Sequence, residues 1–192
     1  MKAEEKKKII TTVAQSIFSK YGLLKTTVGE IAKAARVGKA SLYHYFESKE
    51  DIFKEVIEKE NRYMRERIRD AIINEDAPQK KLKIYILKKM EYLKKLANIN
   101  SALKDDYLEH YAFIGKIREN NTREELGTIQ EILQDGKDKG LFQINDIELT
   151  AFAIFSAIKG LEYPWSVNIS FPKIESNIDN LLEILFNGIV KR

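Results

Sequence analysis

The 192-residue sequence has no cysteine, three prolines, nine glycines, one tryptophan and two histidines. Without cysteine there is no disulfide, no cysteine–zinc site and no thiol nucleophile. The histidines, His44 and His110, leave little for acid–base chemistry, and there is no glycine-rich phosphate loop and no serine elbow. The expectation is a protein that is not an enzyme and holds no metal or cofactor. Asp105, Asp106, Glu109 and His110 form the one compact group that suits a cation. Lacking a second histidine or cysteine nearby, that group fits a solvated helix face better than a transition-metal site. No apolar run approaches the ~18–20 residues needed to cross a bilayer. The first residues are charged and lead into an amphipathic segment, unlike a signal peptide. A soluble, cytoplasmic protein is expected.

Few prolines and glycines mean few interruptions, and no stretch alternates apolar and polar residues in the two-residue period of a strand. Helical spacing recurs instead, which predicts an all-α fold. Ile10, Val13, Ile17, Phe18 and Tyr21 share one face, with Gly22 as the stop. Thr27-Val28-Gly29-Glu30 reads as a capping box opening a short second helix that ends near Ala35. Arg36-Val37-Gly38 is a turn, and a third short helix follows from Lys39 to Tyr45. Ser48 caps a long helix whose apolar stripe runs from Ile52 to Ile72. Beyond Asp76-Ala77-Pro78, helices are predicted at about 79–97, 101–117, 120–139, 147–164 and 173–190. The breaks are placed at Asn98-Ile99-Asn100, Asn120-Asn121, Gly140, and Pro164 with Pro172.

Charge is unevenly spread. The chain has 33 basic and 29 acidic residues, a net of +4. Residues 1–46 hold nine basic and three acidic residues, so they carry +6 and the remainder carries −2. A basic first quarter suits contact with a polyanion, although a solvated basic face has the same composition. Lys2, Lys6, Lys7 and Lys8 fit a solvated arm or first turn. Three short helices with a tight turn between the second and third have helix-turn-helix proportions. In such a unit the second helix crosses the phosphate backbone and the third enters the major groove, about 12 Å wide. Val13, Phe18, Val28, Ile31, Ala32, Val37, Leu42 and Phe46 supply a small core, and Lys39, Ser41, Tyr43 and His44 fit the outer face. Lysine pairs with phosphate or guanine, serine reaches a base edge or phosphate, and tyrosine and histidine donate to phosphate oxygens.

Three segments, Thr26 to Ala32, Val37 to Phe46 and Ser48-Lys49-Glu50, together resemble the N-terminal signature of tetracycline-repressor (TetR)-type regulators over about residues 9–55. The resemblance implies phosphate contacts from Thr27, with Thr26 beside it, and from Tyr43, His44 and Lys49. It places the base-reading edge at Gly38, Lys39, Ala40 and Ser41, with Ala40 offering only a methyl group. It also implies a reading domain at 1–47, a helical ligand-binding and dimerisation domain at 48–192, and a homodimer on palindromic double-stranded DNA.

The segment 147–164 is apolar nearly all round, and Ala153, Ala157 and Gly160 would allow close helix approach. The last segment carries a broad apolar stripe that includes Leu181, Leu185 and Ile189. By resemblance these two helices form the dimer interface. Tyr85, Tyr92, Tyr107, Tyr111, Phe152, Phe155 and Trp165 are candidates for lining an effector pocket, although a helical core needs the same residue types. The leading reading is a transcriptional regulator, a repressor released from DNA by a small apolar effector. The alternatives are an activator, or a helical ligand- or partner-binding protein without repressor activity.

Overall fold

The structure is a computed structural model that describes residues 3–96, 98, 112–168 and 170–189, with backbone only over 163–168 and at 188 and 189. The described chain is all-helical. By internal packing it divides into two units: Met1–Tyr63 with Leu96–Ile117, and Met64–Lys95 with Arg118–Arg192.

In the first unit, α1 (Ala3–Lys25) keeps helical geometry except at Gly22, whose φ of 76° lies in the region that favours glycine. The stop expected at Gly22 is thus a local break after which the helix resumes briefly. Helix α2 (Val28–Ala34) opens on the expected capping box: the Thr27 hydroxyl accepts from the Glu30 backbone and the Glu30 carboxylate accepts from the Thr27 backbone. It closes in a Schellman motif, with Val37 N–H donating to Ala32 and Arg36 N–H to Lys33. The left-handed residue of this turn is Arg36, at φ 56°, and not the neighbouring glycine. Gly38 is extended and serves as N-cap of α3 (Lys39–Tyr43).

A five-residue helix cannot persist alone. Helix α3 is held because Leu42 and Phe46 are buried with Ile31, Ala32 and Phe18. Of the expected core, Val13, Val28 and Val37 are half-buried. Helix α4 (Lys49–Ile72) starts at Ser48, whose hydroxyl accepts from Asp51 N–H at 3.0 Å. Phe53 of α4 meets Phe18 edge to face, with ring centroids 5.0 Å apart. A buried polar seam joins the same elements. Glu60 accepts from Gln15 at 2.9 Å and from Asn98 at 2.6 Å, and Asn98 also donates to the Gln15 carbonyl.

The second unit contains the end of α4, α5 (Pro78–Lys95), most of α6 (Ala112–Asp138), α7 (Ile147–Asn168) and α8 (Phe171–Ile189). Helix α5 packs against α7 and α8. Two expected breaks are absent. Helix α6 runs unbroken through Asn120-Asn121. Asparagine costs a helix less than 1 kcal/mol, and the helix is anchored by burial on both sides of the pair, at Ile114 and Ile117 before it and at Ile129, Ile132 and Leu133 after it. Helix α7 likewise continues through Pro164 to Asn168. A proline removes one backbone hydrogen bond without obliging the chain to leave the helix. Pro172 sits in the first turn of α8, where its missing N–H has no partner to lose. Gly140 closes α6 with φ 67°, as its C-cap role requires.

The body has a charged centre. The Lys89 ammonium of α5 is 1% exposed and is bracketed by Glu125 of α6 and by Glu162 of α7, the latter at 2.5 Å. Lys159 reaches the same two carboxylates at 3.5 and 3.1 Å, and the Phe155 ring lies beside both ammonium groups. Burial alone would lower the Lys89 pKa, but the two carboxylates outweigh it and hold it above the ordinary value of 10.5. A raised lysine contributes stability that is fully present below its unfolded pKa. The ammonium's contribution is therefore present throughout neutral pH and is lost only as pH rises into strong alkali.

Two stability predictions follow from this packing. Lys89→Met leaves two buried carboxylates short of a cation and should cost about 3 kcal/mol in urea unfolding. An unchanged midpoint would mean the cluster contributes nothing net. At Gly136 a Cβ would overlap the Phe142 ring. Gly136→Ala should therefore destabilise by about 1–3 kcal/mol, despite the better helix propensity of alanine. A higher melting temperature would count against that close approach.

Candidate nucleic-acid interface and body cavity

The first unit presents its polar groups on the elements that frame α3. Thr27, Gly38, Lys39, Ala40, Tyr43 and His44 are exposed, and Ser41 and Lys49 are half-buried. Tyr43 is 47% exposed although it adjoins the fully buried Leu42. The register of α3 causes this: Leu42 is the residue that points into the core, so its neighbours must face out. Lys49, the first residue of α4, lies 3.5 Å from the Leu24 carbonyl and keeps most of its donor capacity.

Thr26 is placed differently from its expected role. It is 1% exposed, and its hydroxyl donates to the Gly22 carbonyl at 2.7 Å. That bond secures the turn between α1 and α2, so Thr26 supports Thr27 without joining the outer face. Thr27 itself caps α2, and its hydroxyl donates to the Glu30 carboxylate at 2.8 Å. Hydrogen bonds from Thr27 hold the Glu30 carboxyl below the ordinary carboxylate pKa. Lys7 is not a free arm residue, since it pairs with Glu55 at 2.8 Å and lies over the Phe46 ring. Lys25, Lys33 and Arg36 are further exposed cations of this unit, which the motif comparison did not single out.

In the body, a cavity of about 310 Å³ lies among α4, α5 and α6. Met64, Ile68 and Ile72 of α4 give it an apolar wall, Tyr85 and Lys89 come from α5, and Glu125 and Thr128 from α6. Of the residues expected to line a pocket, Tyr85 is here. Phe155 is buried beside Lys89 and does not line the cavity. Tyr92 lies outside it, with Lys95 over its ring. Phe152 is 56% exposed on the outer face of α7. Tyr107 and Tyr111 lie outside the described residues, as do Asp105, Asp106, Glu109 and His110 and the side chains of Trp165 and Ile189. Sequence reasoning missed Arg65, Lys89 and Glu125. The available signal was a lysine on the buried stripe of α5, three residues after Ile86 and next to Met90.

A second surface belongs to α7 and α8. Leu149, Phe152, Ala153, Ala157 and Gly160 are exposed along one stripe of α7. On α8, Ile184 is 74% exposed, and Leu181 and Leu185 are half-buried beside it. Between the two stripes lies a wholly apolar recess of about 140 Å³, lined by Ala153, Ala157, Leu181 and Leu185 among others.

The first unit matches the family model described as bacterial regulatory proteins, tetR family, over residues 10–56. The chain is 27% identical over 187 residues to the probable acrEF/envCD operon repressor of Escherichia coli K12, covering 92% of this chain and 84% of that protein. A transcriptional regulator from Cytophaga hutchinsonii superposes with a TM-score of 0.80 at 24% identity, covering 96% and 98% of the two chains. The regulator FadR from Bacillus subtilis, solved in complex with stearoyl-CoA, gives a TM-score of 0.73 at 22% identity over 91% and 96%. With the capped second helix, the Schellman turn and the outward-facing α3 in place, residues 10–56 carry the N-terminal module of the tetR family of bacterial regulatory proteins, and the chain resembles transcriptional regulators over most of its length.

Proposed function

We propose that this regulator acts in the cytoplasm as a homodimeric repressor, that residues 1–47 read a palindromic operator, and that a small effector entering the body (48–192) releases it. The observation that carries the reading is the solvent-facing set on and around α3 in a unit whose first 46 residues carry +6. Lys39, Ala40 and Ser41 face the bases, with Gly38 allowing close approach. Thr27, Tyr43, His44 and Lys49 hold the phosphate backbone on either side. Thr26 acts through the turn it secures. Reading one face of DNA with a five-residue helix covers few bases, so two copies are needed for a specific site.

The exposed apolar stripes of α7 and α8 supply the two-fold surface. Four helices, two from each copy, would bury Phe152, Ile184 and the recess between the stripes, with Ala153, Ala157 and Gly160 permitting close approach. The α4–α5–α6 cavity is the effector site. The complex of the similarly folded FadR of Bacillus subtilis with stearoyl-CoA supports a ligand-binding role for the helical body. No catalytic role is assigned to any residue.

The DNA reading is tested by fluorescence anisotropy on the DNA upstream of the protein's own gene across a salt series. Lys49→Ala should weaken binding to all sequences and reduce the slope of log affinity against log salt by about 1. Tyr43→Phe should weaken binding to specific and unrelated DNA alike, by about 1 kcal/mol, and leave the slope unchanged. Affinity that is independent of sequence in the parent protein would reject the operator reading. Ala157→Arg places a charge in the proposed dimer seam. Light scattering should then report the mass of one chain where the parent gives two, and a parent that is already monomeric would sink the dimer.

A further inference from the structure

The cavity among α4, α5 and α6 has two properties that bear on what it binds. The first is an orphaned hydroxyl. Tyr85 is 3% exposed, lines the cavity, and its Oη has no hydrogen-bond partner among the described residues. A buried polar atom left without a partner is destabilising, so such groups mark places where a ligand supplies the missing bond. Burial keeps this phenol protonated, so it offers both a donor and an acceptor.

The second property is charge balance. Lys89 is already bracketed by Glu125 and Glu162, and Arg123 is paired with Glu119. What remains on the walls is Arg65 and Arg69 on α4 against Glu124 and Glu131 on α6, two of each sign. An ionic ligand would bring a charge that the balanced walls do not offset, or pull a member of the buried Lys89 cluster away from its partners, and stranding a buried charge is costly. A neutral ligand does neither. Met64, Ile68 and Ile72 give it an apolar bed, and about 310 Å³ lies at the small end of ligand cavities.

We propose that the effector is an uncharged, compact molecule with an apolar body and one oxygen group, a hydroxyl or carbonyl, that hydrogen-bonds Tyr85 Oη. The inference rests on the assignment of this cavity as the effector site. Tyr85 is then the residue that sets specificity, and the surrounding ions act by rejecting charge.

The test uses three probes of equal chain length, 1-decanol, decanoate and decylammonium, each below its aggregation limit. Calorimetry on the intact protein should show decanol binding at least tenfold more tightly than either ion. Tyr85→Phe should weaken decanol about five- to tenfold. It should not lower the melting temperature of the unliganded protein, because the hydroxyl has no bond to lose. Equal binding of an ion, unchanged decanol affinity in Tyr85→Phe, no binding of any probe, or a lowered melting temperature would each overturn the proposal. Anisotropy on operator DNA, run in parallel, separates this from the effector reading. An ion that binds and releases DNA refutes neutrality and leaves the cavity as the effector site. Decanol that binds in a Tyr85-dependent manner without releasing DNA supports the ligand chemistry and counts against the release mechanism alone.

Discussion

Lys89 is an ammonium with almost no solvent, and three helices of the body converge on it. Its charge is tolerable only while Glu125 from α6 and Glu162 from α7 stay against it, so the ion fixes the spacing of α5, α6 and α7. An apolar contact in that place would tolerate small sliding movements. A buried ion pair does not, because any gap strands a charge in a medium that cannot solvate it. The cavity floor, the orientation of Tyr85 and the packing of Phe155 all inherit their positions from this arrangement.

The head depends on a different economy. Its helices α2 and α3 have seven and five residues, far below the length at which a helix stands alone. What keeps them in place is end chemistry and a few buried side chains. The Thr27–Glu30 box satisfies the first turn of α2, the Schellman bonds close its last turn, and Ile31, Leu42 and Phe46 supply the core. All of this was legible, because capping boxes, turn residues and apolar spacing are local signals written over four to eight residues. Even here the detail differed. The spacing marked Arg36-Val37-Gly38 as a turn without saying which residue bends it; Arg36 takes the left-handed position and Gly38 is an extended N-cap. Thr26 is spent on the carbonyl of Gly22, a bond no spacing rule would have distinguished from an exposed threonine.

In the body the sequence showed helices but not what their faces meet. Phe152 and Phe155 are adjacent in kind and only three residues apart, yet one is exposed and the other is buried between two lysines. In a helix that is apolar nearly all round, composition cannot say which side faces the core and which faces a second chain. The Asn120-Asn121 break failed for a related reason, since the weak helix penalty of asparagine yields to tertiary burial on both sides of the pair. The cavity was least legible of all. Its charged members Arg65, Lys89 and Glu125 come from three helices, and nothing in a linear pattern pairs a lysine with glutamates 36 and 73 positions away.

The cavity draws its walls from α4 over residues 64–72 and from α6 over 123–131. These same helices extend into the first unit, α4 over 49–63 and α6 over 112–117. In the proposed release mechanism these two helices are the covalent links along which an effector's influence would pass. Within the first unit, Glu60 of α4 accepts from Gln15 of α1 and from Asn98. Coupling of this kind has a fixed ceiling. An effector can alter DNA affinity only by the difference in its own affinity for the two arrangements, at about 1.4 kcal/mol for each factor of ten. At the proposed effector site, a small cavity with one hydrogen bond would yield a modest difference per subunit, which the proposed dimer would double. In the proposed dimer the head is doubled, and with twice the +6 of its first 46 residues it would bind DNA largely through salt-sensitive phosphate contacts. Specific and non-specific sites share that term, so a modest effector is enough. It needs only to spoil the fit of two short α3 helices to their bases, and the remaining electrostatic attraction is spread over any DNA present.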